Sequence, residues 1–307
     1  MIAISLKNGW ARFARADIEG ESPVLKEIGE IPLPVPLEDP DLHSDRLTFL
    51  IGELFEQIYE AAGGGDRDLY VSLGEEWMES DILEVDSRLT QEEKETYLDW
   101  VLHQRLGSMS DDSEPFFCLL PDGRENVDRV LVSVITVPLI RAVHGAVLKM
   151  GAIPVWMEAG VLSLDRVSGA LDDGRATRTL AMEPAGSAYR GLFHDRGQLR
   201  GLALFRLRAG KAQEVVTKGD RALVSGCLED LNAYLAGQDL SPNLHLFLSG
   251  EVSRHTLKAL THSGTVEGIL TVVNPFAGLG TEGISLPDIT HGSWYVDVRG
   301  LIEKGIQ

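Results

Sequence analysis

The sequence predicts an α/β protein made of two halves with one order of elements, the first half interrupted by a small α+β insertion. Three observations predict it. At the centre, residues 130–136 form a Val- and Ile-rich run, as in a strand buried on both faces. In residues 138–150 Ile140, Val143, Val147 and Met150 share one helical face, with Pro138 near the start and Gly151 as the stop; a second apolar run, 153–156, follows. That pattern predicts a strand, a right-handed crossover helix and a parallel strand. The second observation is that residues 1–74 and 178–250 both read as hairpin, third strand, helix and strand. The third is that residues 75–127 break this order with a helix of their own.

In the first half, Ile2, Ile4 and Leu6 alternate along a strand that runs into Lys7-Asn8-Gly9-Trp10. Asn-Gly is the strongest short hairpin signal, because both central residues of a type I′ turn need positive φ. The return strand covers residues 10–17. A turn at Glu19-Gly20-Glu21 leads to a third strand over 24–31, and Pro32, Pro34, Pro36 and Pro40 predict an extended link. Ser44 starts a helix to about residue 62, with Leu47, Leu50, Ile51, Leu54, Ile58 and Ala61 at helical spacing. Gly63-Gly64-Gly65 ends it, and residues 69–73 form the next strand. In the second half the strands are 179–182, 188–193 and 199–207, the helix is 220–235 and the last strand is 244–248. The exits match, Leu-Tyr-Val-Ser-Leu-Gly at 69–74 and Leu-Phe-Leu-Ser-Gly at 246–250. Two such halves are the layout of the actin-like ATPase fold, a duplicated RNase H-like unit. The predicted divisions are 1–74 with 128–175, the insertion 75–127, and 176–307. Within the insertion, Thr90 and Glu93 form a capping box, and strands at 82–86 and 116–120 flank the helix.

Composition narrows the function. A net charge of −19 over 307 residues gives nucleic acid or an anionic leaflet nothing to be drawn to. No apolar run reaches the length of a membrane span, so direct insertion is not expected. Residues 1–5 have no basic lead and do not read as a secretory signal. Cys118 and Cys227 read as two buried thiols in a reducing compartment. The histidines, His255 and His262 among them, show no metal-ligand spacing, and no metal site is expected. Gly278-Leu279-Gly280-Thr281-Glu282-Gly283 fits G-x-G-x-x-G, but no helix is predicted to follow, so it reads as a loop. Tyr97, Trp100 and Trp156 read as core. Trp77 and Met78, if exposed, would give the insertion an apolar contact surface.

Three longer stretches carry a family resemblance: LYVSLGEEWMESDILEVDSRLTQEEKETYLDWVLHQRL, RVLVSVITVPLIRAVHGAVLKMGAIPVWMEAGVLSL and LFLSGEVSRHTLKAL, with Asn274-Pro275-Phe276 as a late motif. Together they resemble the PilM family of type IV pilus assembly, related to FtsA and to the GspL kind of type II secretion protein, over nearly the whole chain. The resemblance implies ATP with Mg between the halves, but the phosphate loops have changed. Where the family has Asp-x-Gly-Ser/Thr, this chain has Ser5, Leu6, Lys7 and Asn8, followed by Gly9. The missing carboxylate would organise Mg²⁺, and the missing Gly would let backbone approach phosphate. The second loop reads Glu183-Pro184-Ala185-Gly186-Ser187, and the adenosine loop reads Ser249-Gly250-Glu251.

The expectation is therefore a scaffold with no catalytic residues and no cofactor, although Lys7 keeps a cation able to attract phosphate. The alternative is an active actin-like ATPase or sugar-kinase relative that uses Glu183. The resemblance implies as partner the cytoplasmic tail of a PilN-like inner-membrane protein, along with other pilus or secretion platform components. That tail is expected between the first half and the insertion, around Ile82, Leu83, Val85 and Thr90. The expected location is cytoplasmic, peripheral to the inner membrane through that partner, and a homodimer stays open.

Overall fold

The computed structural model describes residues 1–19, 22–33, 44–65, 68–105, 112–120, 126–171, 177–208, 210–238, 243–250, 260, 270–281 and 283–306. Pro34, Pro36, Pro40, Gly20, Glu21, Glu251, His255, His262 and Glu282, read above, lie outside them. In the first half β1 (Ile2–Lys7), β2 (Trp10–Glu19) and β3 (Ser22–Pro32) form a meander, and α1 (Ser44–Ala61) returns the chain to β4 (Asp68–Leu73), parallel to β1. Asn8 at φ 53° and Gly9 at φ 75° make the first turn the positive-φ hairpin that the sequence predicts. The insertion supplies β5 (Met78–Asp86), α2 (Gln91–Arg105), β6 (Ser113–Leu120) and β7 (Val127–Thr136). The capping box forms: the Glu93 amide donates to Thr90 Oγ1 at 3.3 Å, and the Thr90 amide to Glu93 Oε2 at 2.8 Å.

After α3 (Val137–Lys149), β8 (Ile153–Ala159) rejoins the first sheet beside β4, and α4 (Gly160–Leu171) leads to the second half. There β9 (Arg178–Ala185), β10 (Ala188–Asp195), β11 (Gln198–Arg208) and β12 (Lys211–Gly219) form a meander, with β12 absent from the sequence reading. Next come α5 (Arg221–Leu235), β13 (Leu244–Leu248), β14 (Leu270–Val272), β15 (Gly280–Thr281) and α6 (Val296–Ile306). The sheets run β15-β3-β2-β1-β4-β8 and β12-β11-β10-β9-β13-β14, so each contains a meander extended by two parallel strands.

Two expectations are corrected. β7 does not pair with β8. It is the central strand of a separate antiparallel sheet, β5-β7-β6, so the insertion runs through Thr136 rather than ending at 127. Its run is apolar on both faces because α2 covers one and the first half covers the other; hydropathy reports burial, not which neighbour provides it. Residues 176–307 are not one unit either. β15 extends the first sheet beside β3, and α6 packs against α4 and β1.

Strand alternation sets the layers. Ile2, Ile4 and Leu6 face α1 and α3, while Ala3 faces α6. In the second sheet Leu180, Met182 and Phe193 face α5; Ala181 and Leu192 face the first half and join its core.

Candidate functional site

The same alternation aims the side chains of the cleft. Ser5 and Lys7 follow Ala3 on the α6 side of β1; Glu183 follows Ala181, and Arg190 precedes Leu192, on the face turned toward the first half. There Lys7 Nζ lies 2.5 Å from Glu183 Oε2 and 3.0 Å from Asp297 Oδ2. Ser5 Oγ donates to the same Asp297 oxygen at 3.2 Å. Arg190 Nη1 donates to Glu183 Oε1 at 2.6 Å, and its Nε is paired with Glu75 at 2.9 Å. Lys7, Arg190, Glu183 and Asp297 are all buried.

Opposed effects act on each charge. Burial works to depress the Lys7 ammonium, but Asp297 and Glu183 outweigh it and hold its pKa above the ordinary lysine value. Burial pushes Glu183 up, yet Lys7 and Arg190 draw it below the usual carboxylate range. Asp297 goes the other way: burial, with the like charge of Glu183, outweighs Lys7 and raises it. Burial also raises Glu76, whose Oε1 accepts the backbone N–H of Asn8.

The sequence-selected loops meet here in part. Gly250, at φ 77°, sits on the second hairpin, where an added Cβ would lie 3.3 Å from Pro184 and 3.4 Å from Glu183. Its amide donates to the Ser293 carbonyl at 2.9 Å, and Ser293 Oγ donates back to the Gly250 carbonyl. Ser249 is buried, its amide on the Met182 carbonyl. Asn8, Gly9, Gly186 and Ser187 are exposed at the hairpin tips, outside the ion cluster. The sequence reading missed Asp297, Arg190, Glu75 and Glu76. Arg190 carried a signal, a cation inside an apolar strand. Asp297 carried none, since its helix packs on residues almost 300 positions earlier.

A second feature is an apolar groove between the insertion and the first half, a cavity of about 280 Å³. β6 and β8 flank it, each paired on one edge among the described residues. Phe116, Phe117 and Trp156 are each 40% exposed along it, with Met78, Leu131 and Leu162 deeper. Trp156 is therefore a wall and not core, and Trp100 on α2 is 60% exposed. Trp77 and Met78 are buried. Of the residues expected to meet a partner, Ile82, Leu83 and Val85 are buried and Thr90 is an exposed helix cap; none lines this groove. Among the described residues the second half covers β5, where Lys218 Nζ donates to the Ser80 carbonyl at 2.6 Å, and reaches β7 through Arg129 and Asp220 at 3.9 Å, while the outer edge of β6 pairs with no strand. Cys227 is buried, and Cys118 is part-exposed beside the groove.

Among the described residues no helix is long and apolar enough to cross a membrane, and no three His, Cys, Asp or Glu group to hold a metal. No protein-family model matches the chain, and no curated protein sequence does. Its fold is that of actin-like ATPases. It is similar to a solved PilM-PilN type IV pilus biogenesis complex, with TM-score 0.67 and 14% identity over 100% of this chain and 98% of that one. At TM-score 0.46 and 13% identity it also matches the cytoplasmic domain of EpsL, an inner membrane component of the Vibrio cholerae type II secretion system, over 100% and 94% of the two chains. A Bacteroides thetaiotaomicron protein of actin-like ATPase fold and unknown function matches at the same values over 89% and 90%.

Proposed function

We propose that the protein is a PilM-like scaffold of a type IV pilus or type II secretion platform, cytoplasmic and held at the inner membrane by a PilN-like partner. The β6/β8 groove carries this reading. Two strand edges beside an apolar cavity suit an extended peptide, whose main chain can add to an edge while alternate side chains fill the cavity. The shared fold with the PilM-PilN structure supports the choice of partner. The net charge of −19 suits a tail with basic residues beside the membrane. On this proposal the tail lies against Phe116, Phe117 and Trp156, which line the groove, and not around Ile82, Leu83, Val85 and Thr90.

The cleft belongs to the same proposal as a site that has given up nucleotide. A triphosphate needs free backbone donors and a net positive setting. Instead the Asn8 amide is taken by Glu76, Pro184 has no N–H, and Lys7 and Arg190 are matched against Glu183, Asp297 and Glu75. These residues do not fit Mg·ATP.

The test is calorimetry with synthetic N-terminal tails of PilN-like proteins. Binding that disappears in Phe116→Asp supports the reading; a broad panel that fails against folded protein overturns it. Titration of Mg·ATP should give no heat, and binding weakened by Glu183→Ala would instead favour an enzyme.

A further inference from the structure

We infer that α6 couples the groove to the interlobe ion cluster, so that an occupant of the groove changes how firmly the two halves are held together. The inference rests on the docking reading above for the occupant alone; the coupling path is set by the side chains themselves. It starts at the groove wall, where the Trp156 indole N–H donates to Glu158 Oε2 at 2.8 Å and Lys304 Nζ stands 4.5 Å over the ring. Glu158 is buried and also accepts Ser163 Oγ at 2.5 Å and the Arg166 guanidinium. Arg166 Nη1 donates in turn to the Gly300 carbonyl of α6 at 2.5 Å.

Where α4 and α6 cross there is no slack. A Cβ on Gly300 would lie 2.5–2.8 Å from the Ser163 backbone, so the helices touch main chain to main chain. Asp297, Gly300 and Lys304 stand at i, i+3 and i+7, on one face over about 10 Å of axis. Asp297 at the near end binds Lys7, and Lys7 binds Glu183 of the second half. A shift of Trp156 or Glu158 therefore reaches α6 by two routes, the part-buried Glu158–Arg166 pair with its bond to the Gly300 carbonyl and the backbone contact of Gly300 on Ser163, and Asp297 lies on the same helix. The structure holds the clamp Asp297–Lys7–Glu183 closed; the inference adds a loosened state of the same clamp, and the cycle below tests for it. Coupling is reciprocal, so a change at the clamp must change groove affinity by the same factor.

A thermodynamic cycle tests this without any peptide. Trp156→Phe keeps an aromatic face for Lys304 and removes the indole donor; Asp297→Asn keeps the shape and removes the charge. Sites about 10 Å apart without shared partners are additive by default. Coupling predicts that the unfolding constant of the double variant departs from the product of the singles by about fivefold or more, and that Arg166→Met abolishes the departure. A product matched within about twofold overturns the inference. Should Asp297→Asn fail to fold, Ser5→Ala replaces it, removing the hydroxyl on the same carboxylate. With a tail that binds, Asp297→Asn should shift its affinity about threefold or more while Lys211→Ala, at the exposed start of β12, leaves it alone. Equal affinity in wild type and Asp297→Asn sinks the coupling and spares the docking reading. If no tail binds either protein, the docking reading fails and with it the occupant.

Discussion

Replacing Lys7 by Met keeps a long apolar stem of similar shape and removes the charge from the centre of the cleft. The side chains of Lys7, Glu183 and Asp297 are 8%, 1% and 2% exposed, so the orphaned carboxylates stay out of water. Removing one partner of a buried pair costs about 3–5 kcal/mol for that reason. Glu183 keeps Arg190 at 2.6 Å, so the loss falls mainly on Asp297, left with the Ser5 hydroxyl. Asp297 is already raised by burial and then loses the main cation opposing it. Its folded pKa in the variant stands further above the unfolded one. Between those two values the folded state holds a proton that the unfolded state has released. Stability then falls as pH rises through that window, by at most about 1.4 kcal/mol per unit. Urea unfolding between about pH 5 and pH 8 reads this directly. Lys7→Met should lose about 3–5 kcal/mol at the alkaline end and clearly less at the acid end. Adding Asp297→Asn should recover much of the loss and flatten the pH dependence. A Lys7→Met protein within about 1 kcal/mol of wild type at the alkaline end would refute the reasoning.

Glu183 has the opposite sign. Burial pushes it up, but Lys7 and Arg190 hold it below its usual range, so its contribution is present above the unfolded carboxylate pKa and lost as pH falls through the folded one; Glu183→Gln should make the acid limb of unfolding shallower, followed by circular dichroism. Gly300→Val puts a branched side chain into the Ser163 backbone, and we expect a loss above about 3 kcal/mol, seen as a lower melting temperature; an unchanged melting temperature would count against the tight crossing. Thr90→Ala removes the cap of α2 and should cost about 1 kcal/mol in chemical denaturation. Gly9→Ala, at φ 75°, should cost about 1–2 kcal/mol by the same measurement, with the fold retained.

Local signals were read well wherever the chemistry is local. Asn8-Gly9, the Thr90–Glu93 box and the alternation of Ile2, Ile4 and Leu6 each specify a conformation through neighbours in sequence. The signal failed where burial alone was visible. Residues 130–136 look the same in a parallel sheet as in the middle of the insertion, and Trp156 looks the same in a core as on a groove wall. β12 was missed because five of its first six residues are exposed and polar or small residues interrupt the pattern.

Taken alone, the chain order and hydropathy determined the twin meanders and the inserted helix, because each depends on contacts a few residues long. The tertiary structure alone decided that β7 leaves the first sheet, that α6 crosses back to it, and that Asp297 joins Ser5 and Lys7. Those pairings join residues far apart along the chain, and a one-dimensional pattern carries the sign of a charge but not the partner that will neutralise it.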